Sequence, residues 1–114
     1  MNAMIQAWME RAAAASGVLA CGVRLADRSF VARSCREDFP EPRVLQAVRD
    51  LSEASYALQQ NLIPAEALRW TFENGQIRCL IQPGGVMAAL VVSQEAADSA
   101  EIQQLLADFP LAAS

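Results

Sequence analysis

GVLACGVRLADRSFVARS, residues 17–34, is apolar almost without a break as far as Leu25, turns over at Asp27-Arg28 and then alternates. Read as a strand, Val18 to Leu25 sends Leu19, Cys21, Val23 and Leu25 to one face and Val18, Ala20 and Gly22 to the other. A strand that is apolar on both faces must be covered on both, as the central strands of a helix–sheet–helix sandwich are. Its hairpin partner, about Phe30 to Ser34, is interrupted by Ser29 and Arg33 and suits an edge. The small residues Ala20 and Gly22 would let one helix approach the sheet closely.

The rest of the chain completes that sandwich. Upstream, Ile5, Trp8, Met9, Ala12 and Ala13 recur at helical spacing on a first helix that ends near Ser16-Gly17, where glycine can supply a left-handed stop. Downstream, REDFPEPR (36–43) is a proline-punctuated connection, with Pro42 suited to the first turn of a helix and Glu41 to its dipole. Val44, Val48, Leu51, Ala54 and Leu58 then form the stripe of a long amphipathic helix from Pro42 to about Leu62, and Pro64 stops it.

Leu68, Trp70 and Phe72 alternate with Arg69, Thr71 and Glu73, which predicts a third strand with one buried face. Asn74-Gly75 predicts a type I′ hairpin into a fourth strand carrying Ile77, Cys79 and Ile81. Pro83-Gly84-Gly85 reverses the chain into a fifth, VMAALVVS (86–93), which again has two apolar faces. A last helix from about Ala97 to Phe109 turns Ile102, Leu105, Leu106 and Phe109 inward.

The two-faced strands, first and fifth, are therefore central neighbours, and the second and third fall to the edges. The predicted fold is α+β, in the order αββαβββα. It is a five-stranded antiparallel sheet of order 2-1-5-4-3, a sandwich with the first and last helices on one face and the middle helix on the other. At 114 residues, with 54% apolar and 19% charged, residues 1–114 are read as a single domain with a real core.

Composition also narrows the function. All nine basic residues are arginine, none beyond Arg78, and nine of the thirteen acids precede residue 79. The net charge of −4 thus comes from Glu95, Asp98, Glu101 and Asp108, and no basic stripe exists to neutralise nucleic-acid phosphates. Cys21, Cys35 and Cys79 form no C-x-x-C pair, and there is no histidine, so no metal site is expected. The three cysteines are read as small buried residues of a reducing compartment. The N-terminal segment lacks a basic n-region, and Glu10 and Arg11 break its apolar run. No segment reaches the roughly 18 apolar residues of a membrane span, so a cytoplasmic protein is expected.

No phosphate-binding G-x-x-x-x-G-K-[ST] is present, and without histidine there is no Ser-His or Cys-His nucleophile pair. Glu37, Asp38 and Glu41 lie beside Arg36 and Arg43 and read as a solvated connection rather than as general acids. No catalytic residue and no cofactor is assigned; the chain is not expected to be an enzyme.

The glycine-led hairpin GVLACGVRLADRSFVARS, the long helix 42–62 and the ENGQIRCLIQPGGVMAALVVS meander before a C-terminal helix resemble the Roadblock/dynein light chain family from Met4 to Phe109. That resemblance implies a bacterial, cytoplasmic homodimer whose long helices pack together and whose third strands pair edge to edge. It places Arg69, Thr71, Glu73, Val48, Leu51 and Ser55 at the interface. It also implies regulation of a small Ras-like GTPase, with Arg43 and Arg49 on the surface to test for that partner. Unpaired, the third strand would be an exposed edge without proline, which independently favours pairing. Two other readings are a secretion-system chaperone, which carries three strands before its middle helix rather than two, and a small-molecule sensor of PAS-like or profilin-like type, which needs an open cavity.

Overall fold

Residues that must be dry on both sides set the architecture. In a computed structural model, which describes residues 3–36, 40–61, 67–72, 75–82 and 85–109, the elements run α1 (Ala3–Ala14), β1 (Val18–Arg24), β2 (Phe30–Ser34), α2 (Glu41–Gln60), β3 (Ala67–Phe72), β4 (Gly75–Ile81), β5 (Met87–Ser93) and α3 (Ala100–Ala107). The sheet has the order β2-β1-β5-β4-β3, and all four pairings are antiparallel. This is the predicted order. The two strands with apolar residues on both faces, β1 and β5, are buried along almost their whole length and lie side by side.

Two apolar layers sandwich that central pair. On one side α1 and α3 pack Ile5, Trp8, Ile102 and Leu105 over Cys21, Val23, Leu90 and Val92. On the other, Val44, Val48 and Leu51 of α2 cover Ala20, Met87, Ala89 and Val91. The expected alternation along β1 fails at its start. A register shift against β5 falls between Val18 and Ala20, so Leu19 joins Ala20 on the α2 side while Val18 joins Cys21 and Val23 on the other. A bulge adds one residue to one strand and inverts the facing of what precedes it, which period-two reading cannot detect.

Helix ends follow the chemistry of their sequences. Pro40 is the N-cap of α2 and Pro42 lies in its first turn, where the missing amide hydrogen costs nothing. Ser99 caps α3, its Oγ accepting from the Ile102 amide at 3.2 Å. The last helix therefore starts after Ala97, which is buried in a turn. Gly17 adopts φ +84°, the left-handed conformation expected after α1.

The β3–β4 hairpin is offset by one residue from the predicted turn. Phe72 pairs with Gly75, so Gly75 belongs to β4 and does not have the positive φ of a type I′ turn. Glu73 and Asn74 lie outside the described residues. Glycine is required at 75 for another reason: a Cβ there would meet the Val92 carbonyl oxygen at 2.2 Å.

At Gly22, on β1, a Cβ would lie 2.6 Å from Val48 Cγ2. The bare backbone is what lets α2 settle onto β1. Gly22→Ala is expected to lower stability by about 1–3 kcal/mol, the usual cost of overpacking a close contact. In urea denaturation, adding Val48→Ala to Gly22→Ala should cost less than the sum of the two single changes. Simple additivity would show that the two residues do not compete for that space.

Candidate interaction surface

The helices cover only part of the sheet. α2 lies chiefly over β1 and β2 and α1 chiefly against β1; Cys79 of β4 is still buried in the α2-side core, whereas β3 is the least covered strand. Along β3 only Leu68 and Phe72 are partly buried, packed against the α2-side core, and the other four residues are exposed. Trp70 is 58% exposed rather than part of the inward face that alternation predicts. Leu68 and Phe72 follow the alternation, but among the described residues α2 comes only to the side of a trough beside Trp70 and does not cover it.

The stripe of α2 is likewise only half used. Val44, Val48 and Leu51 are buried, while Ala54 and Leu58, further along the same stripe, are half-buried and Ala57 is exposed. Between them and β3 runs an apolar trough of about 520 Å³ bounded by Ala54, Ala57, Leu58, Leu68 and Trp70. Tyr56, 63% exposed on the same half of α2, is with Met4 and Trp70 one of three large hydrophobic side chains exposed among the described residues. Sequence reading passed over Tyr56, although an aromatic flanking the helical stripe was the available signal.

The residues expected at an interface divide. Val48 and Leu51 are 1% and 3% exposed and are packed under the sheet, so they have no free surface for a second chain. On the long helix that the family resemblance places at an interface, this part of the apolar stripe is taken up by the chain's own core. Ser55 is half-buried, Arg69 and Thr71 are exposed, and Glu73 lies outside the described residues. Arg43 and Arg49 are exposed on α2, with the Arg49 guanidinium 5.5 Å from the centroid of the Phe30 ring.

On the opposite face of the hairpin, Arg69 and Arg78 are cross-strand partners, and Asp98 lies between them at 3.2 and 3.9 Å. Burial, together with the neighbouring Arg69, lowers the pKa of Arg78, and Asp98 offsets this in part. Arg78 also donates to the Ala97 carbonyl at 2.9 Å, which ties β4 to the turn before α3.

Cys35 departs from the expectation of three buried thiols, since it is exposed just after β2 while Cys21 and Cys79 are buried. Among the described residues no group of three or more His, Cys, Asp or Glu could hold a metal ion, and no helix is long and apolar enough to cross a membrane.

Superposition on solved structures finds this arrangement elsewhere. Myxococcus xanthus MglB matches with a TM-score of 0.61 over 94% of this chain and 89% of that chain, at 7% identity. A Roadblock/LC7 domain from Streptomyces avermitilis matches with a TM-score of 0.58 over 94% of this chain and 92% of that one, at 11% identity. The fold is that of a Roadblock domain. No protein-family profile and no curated protein sequence matches the chain. At 7% and 11% identity, the Roadblock fold here is held by pattern rather than by shared residues: two-faced central strands, a long helix on one side and two shorter helices on the other.

Proposed function

We infer that this chain acts as one Roadblock-like domain, a non-enzymatic cytoplasmic scaffold that forms a homodimer and binds a small Ras-like GTPase. The observation that carries the dimer is the unfinished apolar surface. The second half of the α2 stripe, the trough beside it and Trp70 on an edge strand lie together. A second copy related by a two-fold axis would present the same patch to this one and extend the sheet through β3. The GTPase half of the reading rests on the resemblance to the Roadblock family, with Arg43 and Arg49 on α2 as the contact to test. The chaperone reading fits less well, because two strands precede α2 and three follow it.

Sedimentation equilibrium tests the dimer. Trp70→Glu removes an exposed side chain, so the core stays intact. Because buried aromatic anchors at interfaces are worth about 2 kcal/mol or more, the dissociation constant should rise by at least about thirtyfold. A wild-type protein that stays monomeric at high micromolar concentration, or a Trp70→Glu protein that dimerises equally well, overturns it. The GTPase is tested by affinity capture from lysate of the source cells with GDP or a GTP analogue. The reading requires a small GTPase retained in one nucleotide state and lost with Arg43→Glu and Arg49→Glu. A secretion substrate retained regardless of nucleotide would replace it with the chaperone.

A further inference from the structure

Beside the C-terminal half of α2, on the side away from the apolar trough, a recess of about 300 Å³ opens where the ends of β1, β4 and β5 meet. Its polar lining is Arg24, Arg28, Ser52, Ser55, Tyr56 and Gln59, above Met87. The lining thus includes two arginines, three hydroxyl-bearing residues and an amide, and among the described residues no carboxylate. Arg24 is half-buried and anchored, donating from Nη1 to the Gly85 carbonyl at 2.5 Å. Glycine at 85, with φ +88°, makes room for it, since a Cβ would stand 2.6 Å from that nitrogen.

Arg28 sits in the β1–β2 turn at φ +73°, a conformation costly for a residue with a side chain. The nearest acid in sequence, Asp27, is engaged by Ser29 through its amide at 3.0 Å and its hydroxyl at 2.5 Å. No ion pair is present for Arg24 or Arg28 among the described residues. Two cations beside one small recess, with hydroxyl-bearing residues around them, complement the charge of an anion.

We propose that this recess binds a dianionic phosphate group, free or as a small phosphate monoester, between Arg24 and Arg28. Two guanidiniums match the charge of a phosphate monoester at neutral pH, and their planar forks suit its oxygens. Ser52, Ser55 and Gln59 supply neutral donors, and Tyr56 at the rim offers a ring face to an ester's organic group. The recess and the trough proposed for the dimer lie on different sides of α2, although Ser55, which the family resemblance places at an interface, lines the recess.

Thermal unfolding and titration calorimetry with inorganic phosphate, with phenyl phosphate and with sodium chloride at matched ionic strength test it. The wild-type protein should gain a saturable rise in Tm with phosphate or phenyl phosphate that chloride does not produce. Arg28→Gly, which suits φ +73° and so preserves the fold, should weaken binding at least tenfold, and Ser55→Ala should weaken it severalfold. Equal affinity for the two phosphates indicates the free ion, and tighter phenyl phosphate binding indicates an ester; both support the site. No heat and no rise in Tm with either, a rise that chloride matches, or binding unchanged in Arg28→Gly overturns it.

Discussion

Between pH 9 and pH 11 the protein should lose stability on the order of 5 kcal/mol, enough to unfold a typical domain of this size near room temperature. The cause is two buried thiols. Burial pushes the Cys21 thiol up to about 12; the nearby Cys35 adds to the rise and Arg33 opposes it. Burial alone pushes Cys79 up to about 12. In the unfolded chain both ionise near 9.0.

Above that pH the unfolded state therefore holds fewer protons than the native one, and stability falls as pH rises. The full contribution is present below about pH 9, and the loss continues until about pH 12. Each thiol removes roughly 1.4 kcal/mol per pH unit in that window. Urea denaturation at steps from pH 8 to pH 11 reads the slope. A Cys21→Ala, Cys79→Ala double variant, whatever its stability at pH 8, should show a much flatter fall. An unchanged slope would place the proton linkage elsewhere. A thiol reagent at pH 8 gives a second reading, with one reactive thiol, the exposed Cys35, in the native protein and three after unfolding.

Trp8→Ala should lower stability by about 3–5 kcal/mol, the range for deleting a large buried aromatic. Trp8 is 2% exposed and joins the two helices of one face. Its ring meets Phe109 edge to face, with centroids 4.9 Å apart and an interplanar angle of 78°. Its Nε1 donates to the Leu105 carbonyl at 2.7 Å, across 97 residues of sequence. That carbonyl belongs to the last turn of α3, where the helix itself supplies no amide partner, so the indole satisfies a group that would otherwise be buried and unpaired. Trp8→Phe separates the two contributions. It keeps most of the packing and loses the hydrogen bond, and should cost about 1–3 kcal/mol. If both variants unfold at the wild-type urea midpoint, α1 and α3 are not held together through Trp8.

Trp8, Cys21 and Cys79 show where sequence reading succeeds, and Cys35 where it stops. Ile5, Trp8 and Met9 fall on one helical face by spacing alone, and each is buried against the sheet. Cys21 lies in a strand whose neighbours are apolar on both faces, so its burial follows whichever face it takes. Cys35, just past the strand, has no such pattern around it, and its exposure is set by where the chain leaves the sheet.

What the sequence determined by itself is the element order and the strand order. A strand apolar on both faces cannot stand at an edge in water, and only β1 and β5 have that property, so they had to be central and adjacent. Tertiary structure alone decided three things. The bulge between Val18 and Ala20 sent Leu19 to the opposite face, because pairing with β5, not local pattern, sets strand phase there. The lateral position of α2 over β1 and β2 buried Val48 and Leu51 in this chain's own core and left Trp70 in the open, because a helix covers only the strands beneath it. Arg24 and Arg28, four residues apart around a turn, met Ser52, Ser55 and Gln59 across a recess because the ends of three strands converge beside one helix, a proximity that no spacing along the chain encodes.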